Sequence, residues 1–299
     1  MVSMAEHIPV MYEEILENLQ VKSGDYVVDG TLGTGGHALG IAERIGSNGH
    51  YIGIERDSDS LVLAKERLKD VSCRCTFIQN DFRHMDQILD NLGIKEVNAI
   101  FFDLGISSYQ LDDPARGFSL RMEGPLDMRM DRNSFISAYD LVNSLSEHEL
   151  SAILKNFGQE RWHHRIANCL VKERKKNPIA STKDLSDMVL KAIPSRRQRY
   201  RLHPATRTFQ AFRIAVNREL EALDLALSKS IPYLAKGARI CVISFHSLED
   251  KIVKNKFRHL AKESVLNLII KKPLKPKLQE VQENSRSRSA LLRVAERIK

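Results

Sequence analysis

Tyr26-Val27-Val28-Asp29-Gly30-Thr31-Leu32-Gly33-Thr34-Gly35-Gly36-His37 is the stretch that decides the fold. Its first part is a short apolar run closing on a carboxylate. Its second part holds four glycines in seven positions, and Ala38, Leu39, Ile41, Ala42 and Ile45 follow at helical spacing. That is a strand, a tight turn and a helix, the opening unit of a nucleotide-type α/β fold. Glycine suits the turn because a chain without Cβ atoms adopts positive φ and lets a ligand come close to the backbone.

The turn by itself is compatible with two cofactor classes. Gly33-x-Gly35-x-x-Ala38 can be laid on the dinucleotide fingerprint, which keeps an NAD-type oxidoreductase in play. Asp29 argues against it, since a carboxylate at the strand's tip repels a pyrophosphate seated over the turn. S-adenosylmethionine has no phosphate and carries a sulfonium and an ammonium, which an acidic strand end suits. The second strand, His50 to Ile54, closes on Glu55, about twenty residues past the turn. A carboxylate there can accept from both ribose hydroxyls in either class.

The 299 residues suit one large domain or two modest ones. Hydrophobic residues make up 42% and charged residues 28%, an ordinary globular balance. The net charge of +8 and a pI near 9.3 point toward a polyanionic partner. Met1 to His7 hold no apolar h-region and no run reaches transmembrane length, so the expected setting is cytoplasmic, away from membranes. Cys73, Cys75, Cys169 and Cys241 form no C-x-x-C pair, so neither zinc nor a redox motif is expected. None follows a proline, which removes the nucleophile motif of enzymes that methylate carbon five of a pyrimidine.

Along the chain, a helix over Met11 to Leu19 precedes the first strand and another covers Ser60 to Leu68. A third strand over Cys73 to Ile78 leads to Asn80-Asp81-Phe82. Asp81 is either an adenine acceptor or a helix N-cap, and Phe82 is the packing partner for the base. The fourth strand, Val97 to Phe102, runs into Asp103-Leu104-Gly105-Ile106-Ser107-Ser108-Tyr109-Gln110. Asp29, Glu55, Asp81 and Asp103 therefore sit at the carboxyl ends of successive strands, where open α/β sheets bind ligands.

From about Leu111 the strand–helix alternation stops. A long loop holds Arg116-Gly117-Phe118-Ser119 and Gly124 through Asp131, and three helices follow. Ser146 with Glu149 and Ser181 with Asp184 cap two of them, and Glu160 to Lys176 makes the third. The insertion closes on a stretch rich in arginine. Arg196, Arg197, Arg199, Arg201, His203 and Arg207 are its candidate RNA contacts, because guanidinium forks fit phosphates and stack on bases. One long helix from Phe209 to Leu227 then returns to the sheet. A fifth strand covers Ala238 to Phe245, and Leu266–Ile270 with Ala290–Val294 form a closing hairpin. Lys271 to Ser289 reads as a loop.

Taken together, these segments closely resemble the RsmH (MraW) family, the small-subunit ribosomal RNA cytosine-N4 methyltransferases. The matching stretches are His7 through Met11, Asp29 through His37, Asp103 through Ser108, Gln110-Leu111-Asp112, Arg116 through Ser119, Gly124 through Asp131, His203 through Ala211 and Ile243 through Asp250. The resemblance implies an α/β, class I (Rossmann-like) S-adenosylmethionine-dependent methyltransferase with a helical domain inserted after the fourth strand. The Rossmann-like domain is expected over 1–111 and 207–299, and a helical substrate-recognition domain over 112–206. Carried over position by position, the cofactor contacts are Gly35, Gly36, His37, Glu55, Phe82, Asp103 and Gln110. The implied substrate is a cytosine amino group in the decoding region of small-subunit rRNA, within an assembled or nearly assembled 30S-type subunit; a homodimer is left open. Glu55 stands where the family more often has aspartate, Tyr109 where many members have proline, and Ser285 where an Asn-Pro-Arg motif has proline.

The cytosine amino nitrogen is a poor nucleophile, because its lone pair is delocalised into the ring. An acceptor on its N–H groups would localise that pair. Many amino-group methyltransferases use a Pro-Pro-aromatic motif after the fourth strand, and this chain has no Pro-Pro. The acceptor is therefore expected from Asp103, Ser107, Ser108 or nearby carbonyls, with Asp127 and His203 as weaker candidates. The target base must also leave its stack. A non-catalytic RNA-binding assembly factor is the other reading, but it would need none of the strand-end acids.

Overall fold

Consecutive residues on the central strands pack into opposite cores. Phe101 and Phe102 are both fully buried, yet Phe101 packs with Ile15, Ile41 and Ile45 while Phe102 packs with Met85, Leu89 and Leu227. The period of two along a strand produces this split, and it means that helices cover both faces of the sheet.

The computed structural model describes residues 9–194 and 203–299. In chain order the elements are α1 (Tyr12–Leu19), β1 (Tyr26–Asp29), α2 (Gly36–Ile45), β2 (His50–Glu55), α3 (Ser58–Arg67), β3 (Arg74–Gln79), α4 (Met85–Asn91) and β4 (Val97–Asp103). Then come α5 (Ser108–Asp112), α6 (Ala138–Ser144), α7 (Glu147–Asn156), α8 (His163–Glu173), α9 (Thr182–Ala192), α10 (Thr206–Asn217) and α11 (Glu219–Ser230). β5 (Leu234–Ser244), α12 (Ser247–Lys262), β6 (Leu266–Leu268), α13 (Leu278–Glu283) and β7 (Leu291–Arg297) complete the chain.

Two compact units result. One takes the chain up to Gly105 and resumes at Leu220; the other runs from Ile106 to Glu219. The first unit holds a seven-stranded sheet of order β3-β2-β1-β4-β5-β7-β6. β1 to β5 pair in parallel, and β7 runs antiparallel to both β5 and β6. The order reverses between β1 and β4, and such a switch point opens a crevice beyond the strands' carboxyl ends. The expected closing hairpin is β6 and β7. The segment read as a loop, Lys271 to Ser289, instead contains α13 and a 3₁₀ turn over Ser285–Ser289.

The second unit has its own core, with Leu150, Leu154, Ile166, Leu170, Leu185 and Phe212 at 1% exposure or less. Its span is wider than the expected 112–206, because α10 buries Phe209, Ala211 and Phe212 in this core with Met128 and Leu154. The single helix expected over Phe209 to Leu227 is two helices, broken at Arg218, whose backbone is left-handed (φ 49°). The Ser146–Glu149 and Ser181–Asp184 capping boxes form as expected. A further box, Ser137 with Asp140, starts the unexpected helix α6. The signal was in the sequence, with Asp in place of Glu at the third helical position.

Candidate active site

The turn after β1 is held open by β2. Gly35, at φ 80°, caps α2, and Glu55 at the end of β2 accepts from the Gly33 N–H at 2.7 Å and from the Asp57 N–H at 2.9 Å. Glu55 thus braces the glycine turn while each oxygen keeps a lone pair. Burial pushes its carboxyl up to about 7, against the pull of those two backbone donors. Gly36 lies under Pro9: a Cβ added there would meet the proline ring at 2.8 Å.

A second carboxylate lies deeper. Asp29 is 1% exposed and accepts from the Tyr51 hydroxyl at 2.5 Å and from the Thr31 N–H at 2.9 Å. Burial lifts its carboxyl to about 6 despite these donors. Thr31 Oγ1 in turn accepts from the Asp103 N–H at 2.5 Å, which ties the tip of β4 to the first turn. Asp29 therefore acts through the field it casts. Tyr51 is fully buried, and nothing in the sequence separates it from an ordinary core residue.

Asp103 is the site's unsatisfied group. Among the described residues its Oδ1 is buried without a hydrogen-bond partner, and its Oδ2 lies 3.6 Å from His37 Nδ1. Burial raises its carboxyl well above the usual range, and the nearby Asp29 and Glu249 raise it further. His37 Nε2 sits 2.9 Å from the Val10 carbonyl, which can only accept, so Nε2 carries the hydrogen. Nδ1 is then left facing Asp103. His37 also packs edge-on against Phe101, with centroids 4.9 Å apart.

Glu249 was not among the sequence candidates. It is 2% exposed in the first turn of α12 and accepts from the Phe245 and His246 N–H groups, at 2.8 and 3.2 Å. The recoverable signal was His246-x-x-Glu249 directly after a strand, a capping spacing. Asp81, left open between two roles, is seen as a cap: Oδ1 accepts from the Arg83 N–H at 2.9 Å, and Oδ2 pairs with Arg83 and Arg56. Phe82 beside it stands edge-on to Phe102 at 5.6 Å, with the Arg56 guanidinium 6.0 Å from its ring centre.

The remaining candidates belong to the helical unit. Ser107 Oγ caps α5 by accepting from the Gln110 N–H at 3.2 Å, and Gln110 Oε1 accepts from the Ser107 N–H at 3.1 Å. Both side chains are thus engaged in a capping box, and Ser108 opens the helix. Asp127 forms a forked pair with Arg129 at 2.7 and 2.8 Å. Burial would raise its carboxyl, but the Arg129 donors outweigh it and hold it low. His203 accepts from the Ala205 N–H at 3.2 Å, and Arg207 is exposed and donates to the Gln159 carbonyl at 3.1 Å. Arg196, Arg197, Arg199 and Arg201 lie outside the described residues.

The strand-end acids make a site that suits a cation more than a phosphate. Among the described residues the buried Oδ1 of Asp103 has no partner, and a buried carboxyl oxygen calls for a donor. Against this geometry the sequence comparison is direct: the MraW methylase family matches over residues 4–298. The chain belongs to the MraW methylase family. It is 46% identical to the ribosomal RNA small subunit methyltransferase H of Halothermothrix orenii, over 99% of each chain. To the protein of that name from Clostridium botulinum it is 45% identical, over 98% of this chain and 99% of that one. A solved S-adenosylmethionine-dependent O-methyltransferase from Thermotoga maritima is a more distant likeness. It shares 12% identity at a TM-score of 0.45, over 99% of this chain and 69% of that one.

As a member of the MraW methylase family the chain is a methyltransferase, and S-adenosylmethionine is its methyl donor. Its seven-stranded sheet, with β7 antiparallel, is the expected class I, Rossmann-like arrangement. The dinucleotide reading of the glycine turn falls away. Among the described residues, no helix is long and apolar enough to cross a membrane.

Proposed function

We propose that this methyltransferase methylates the exocyclic N4 amino group of a cytosine in the decoding region of small-subunit rRNA, acting on an assembled or nearly assembled 30S-type subunit. The observation that carries the reading is the unsatisfied Oδ1 of Asp103 at the tip of β4, among carboxylates at neighbouring strand ends. The substrate class follows the names carried by relatives that align along nearly the whole chain.

S-adenosylmethionine supplies an electrophilic methyl group on a sulfonium. Asp103 accepts from the ammonium of the methionine part, with its other oxygen facing His37 Nδ1. Glu55 accepts the ribose hydroxyls on the lone pairs that the Gly33 and Asp57 N–H groups leave over. Phe82 packs on the adenine, Gly35 and Gly36 let the backbone approach, and Gln110 adds a polar contact. Ser107, Ser108 and the carbonyls around them accept from the cytosine N–H groups and localise the nitrogen lone pair. In-line transfer asks little else of the enzyme than alignment and exclusion of water. The helical unit is assigned to substrate recognition, with Arg196, Arg197, Arg199, Arg201, His203 and Arg207 on the RNA.

Mass spectrometry of small-subunit rRNA from cells with and without this protein tests the proposal. One N4-methylcytidine should disappear with the protein and return with the purified enzyme and S-adenosylmethionine. An unchanged set of modified nucleosides rules the assignment out.

A further inference from the structure

The sheet-bearing unit carries a line of cations unrelated to the arginine-rich stretch of the insertion. Lys251, Lys254, Arg258 and Lys262 follow one another on α12 at intervals of three, four and four residues. At 100° per residue they fall within an arc of about 80°, opposite the buried Val253, with the buried Phe257 about 60° from Lys254. Lys251, Arg258 and Lys262 are exposed and Lys254 is half-buried, and none of the four makes an ion pair with a described residue. Neighbouring charges on the helix are otherwise spent: Lys256 pairs with Asp224 at 3.1 Å, and Asp250 with Arg293 at 2.7 Å. Glu249 is buried, and the exposed Glu263 just past the helix pairs with His259 at 3.4 Å.

The surface there is also concave. Asn255, Arg258, His259, Lys262 and Leu268 line a shallow, open hollow between α12 and the edge strand β6. Lys271 and Lys272, both exposed, follow directly after β6. A solvated helix face would scatter its charges and mix their signs; here one sign lines a hollow.

The line has a direction. α12 starts just past the carboxyl end of β5, whose Ile243 is in register with Asp103. From Lys251 to Lys262 the helix rises about 16 Å away from that edge of the sheet. We propose that this face of α12 is a second RNA contact, holding phosphates of the substrate strand on the catalytic unit itself. It would fix the register of a strand whose target base lies at the tips of the parallel strands. The inference rests on the proposed rRNA substrate.

The test uses the full chain, labelled S-adenosylmethionine, and small-subunit particles from cells lacking the protein. Arg258→Gln with Lys262→Gln should raise KM for particles several-fold and leave kcat within about twofold. It should also flatten the plot of log affinity against log salt by about 0.7 for each lost single-strand contact. Lys22→Gln with Lys95→Gln removes the same charge from exposed residues elsewhere on the unit and should leave the slope alone. An unchanged slope for the α12 pair, or equal flattening in the control pair, overturns the proposal. So does weaker binding to particles with unweakened binding to naked small-subunit rRNA, which assigns the face to a ribosomal protein. Failure of the unaltered chain to label either RNA counts against the proposed methylation, while the slope still reports on α12.

Discussion

His37 Nδ1 lies 3.6 Å from Asp103 Oδ2, and the opposite ring nitrogen is anchored on the Val10 carbonyl at 2.9 Å. Residues from α2 and from the tip of β4 are thereby brought side by side. Asp103 has one oxygen facing His37 Nδ1 and, among the described residues, one without a hydrogen-bond partner.

Asp103→Asn keeps the size and removes the charge. S-adenosylmethionine binding should weaken by about 1.5–3 kcal/mol, the worth of a charged hydrogen bond. Single-turnover methylation at saturating cofactor should largely recover. Normal cofactor binding together with slow single turnover would move Asp103 from anchoring the donor to accepting from the cytosine amino group.

Cofactor binding should depend on pH. Asp29 and Glu55, raised to about 6 and about 7, are protonated in the free protein at mildly acidic pH. An ammonium and ribose hydroxyls favour the ionised forms. Affinity should therefore rise as pH climbs through about 5 to 7, with protons released on binding. Titration calorimetry in buffers of different ionisation enthalpy reads that release directly, and a buffer-independent heat would contradict it.

The same groups set a stability trend in the free protein. Between the unfolded value and the raised folded value, the folded chain holds a proton that the unfolded chain has lost. Stability therefore falls as pH rises through that window, about 4 to 6 for Asp29 and 4.5 to 7 for Glu55. For fully buried Asp29 the loss is of order 3 kcal/mol. Asp29→Asn should flatten its part of the profile in urea melts recorded across that range, and a profile identical to the parent's would remove Asp29 as the source.

Glu55 braces the glycine turn, and in the proposed reading it also accepts the ribose hydroxyls. Glu55→Ala leaves the Gly33 and Asp57 N–H groups without their acceptor, so both cofactor affinity and the melting temperature should drop. RNA binding should hold. Loss of cofactor affinity with an unmoved melting temperature would show that the brace matters little.

Asp127 is a structural pin on this geometry. Its fork with Arg129 lets that guanidinium also hold the Arg132 and Ser134 carbonyls, at 3.2 and 2.7 Å. Asp127→Asn should cost about 1–3 kcal/mol of stability. Single turnover at saturating substrates and permissive temperature should be near normal. A large loss there in a well-folded variant would return Asp127 to the list of proton acceptors.

Local chemistry made much of this protein legible before its structure. Val27-Val28-Asp29 and the glycines after it specify strand, turn and helix through rotamer stiffness and positive φ. Ser146 with Glu149 and Ser181 with Asp184 announce helix starts through hydrogen bonds closed within four residues. The same locality made the helix start at Ser137 readable, though it was overlooked. What only the tertiary structure decided depends on groups far apart in sequence meeting where water is excluded. Tyr51 on Asp29, Thr31 on the Asp103 N–H, and Glu249 in the field of Asp103 leave no periodic trace, because each is an ordinary residue of its own element. The break at Arg218 and the place of Phe209 and Phe212 in the helical core belong here too. An apolar stripe on a helix specifies that it will be buried; which core buries it is settled by the packing of the whole chain.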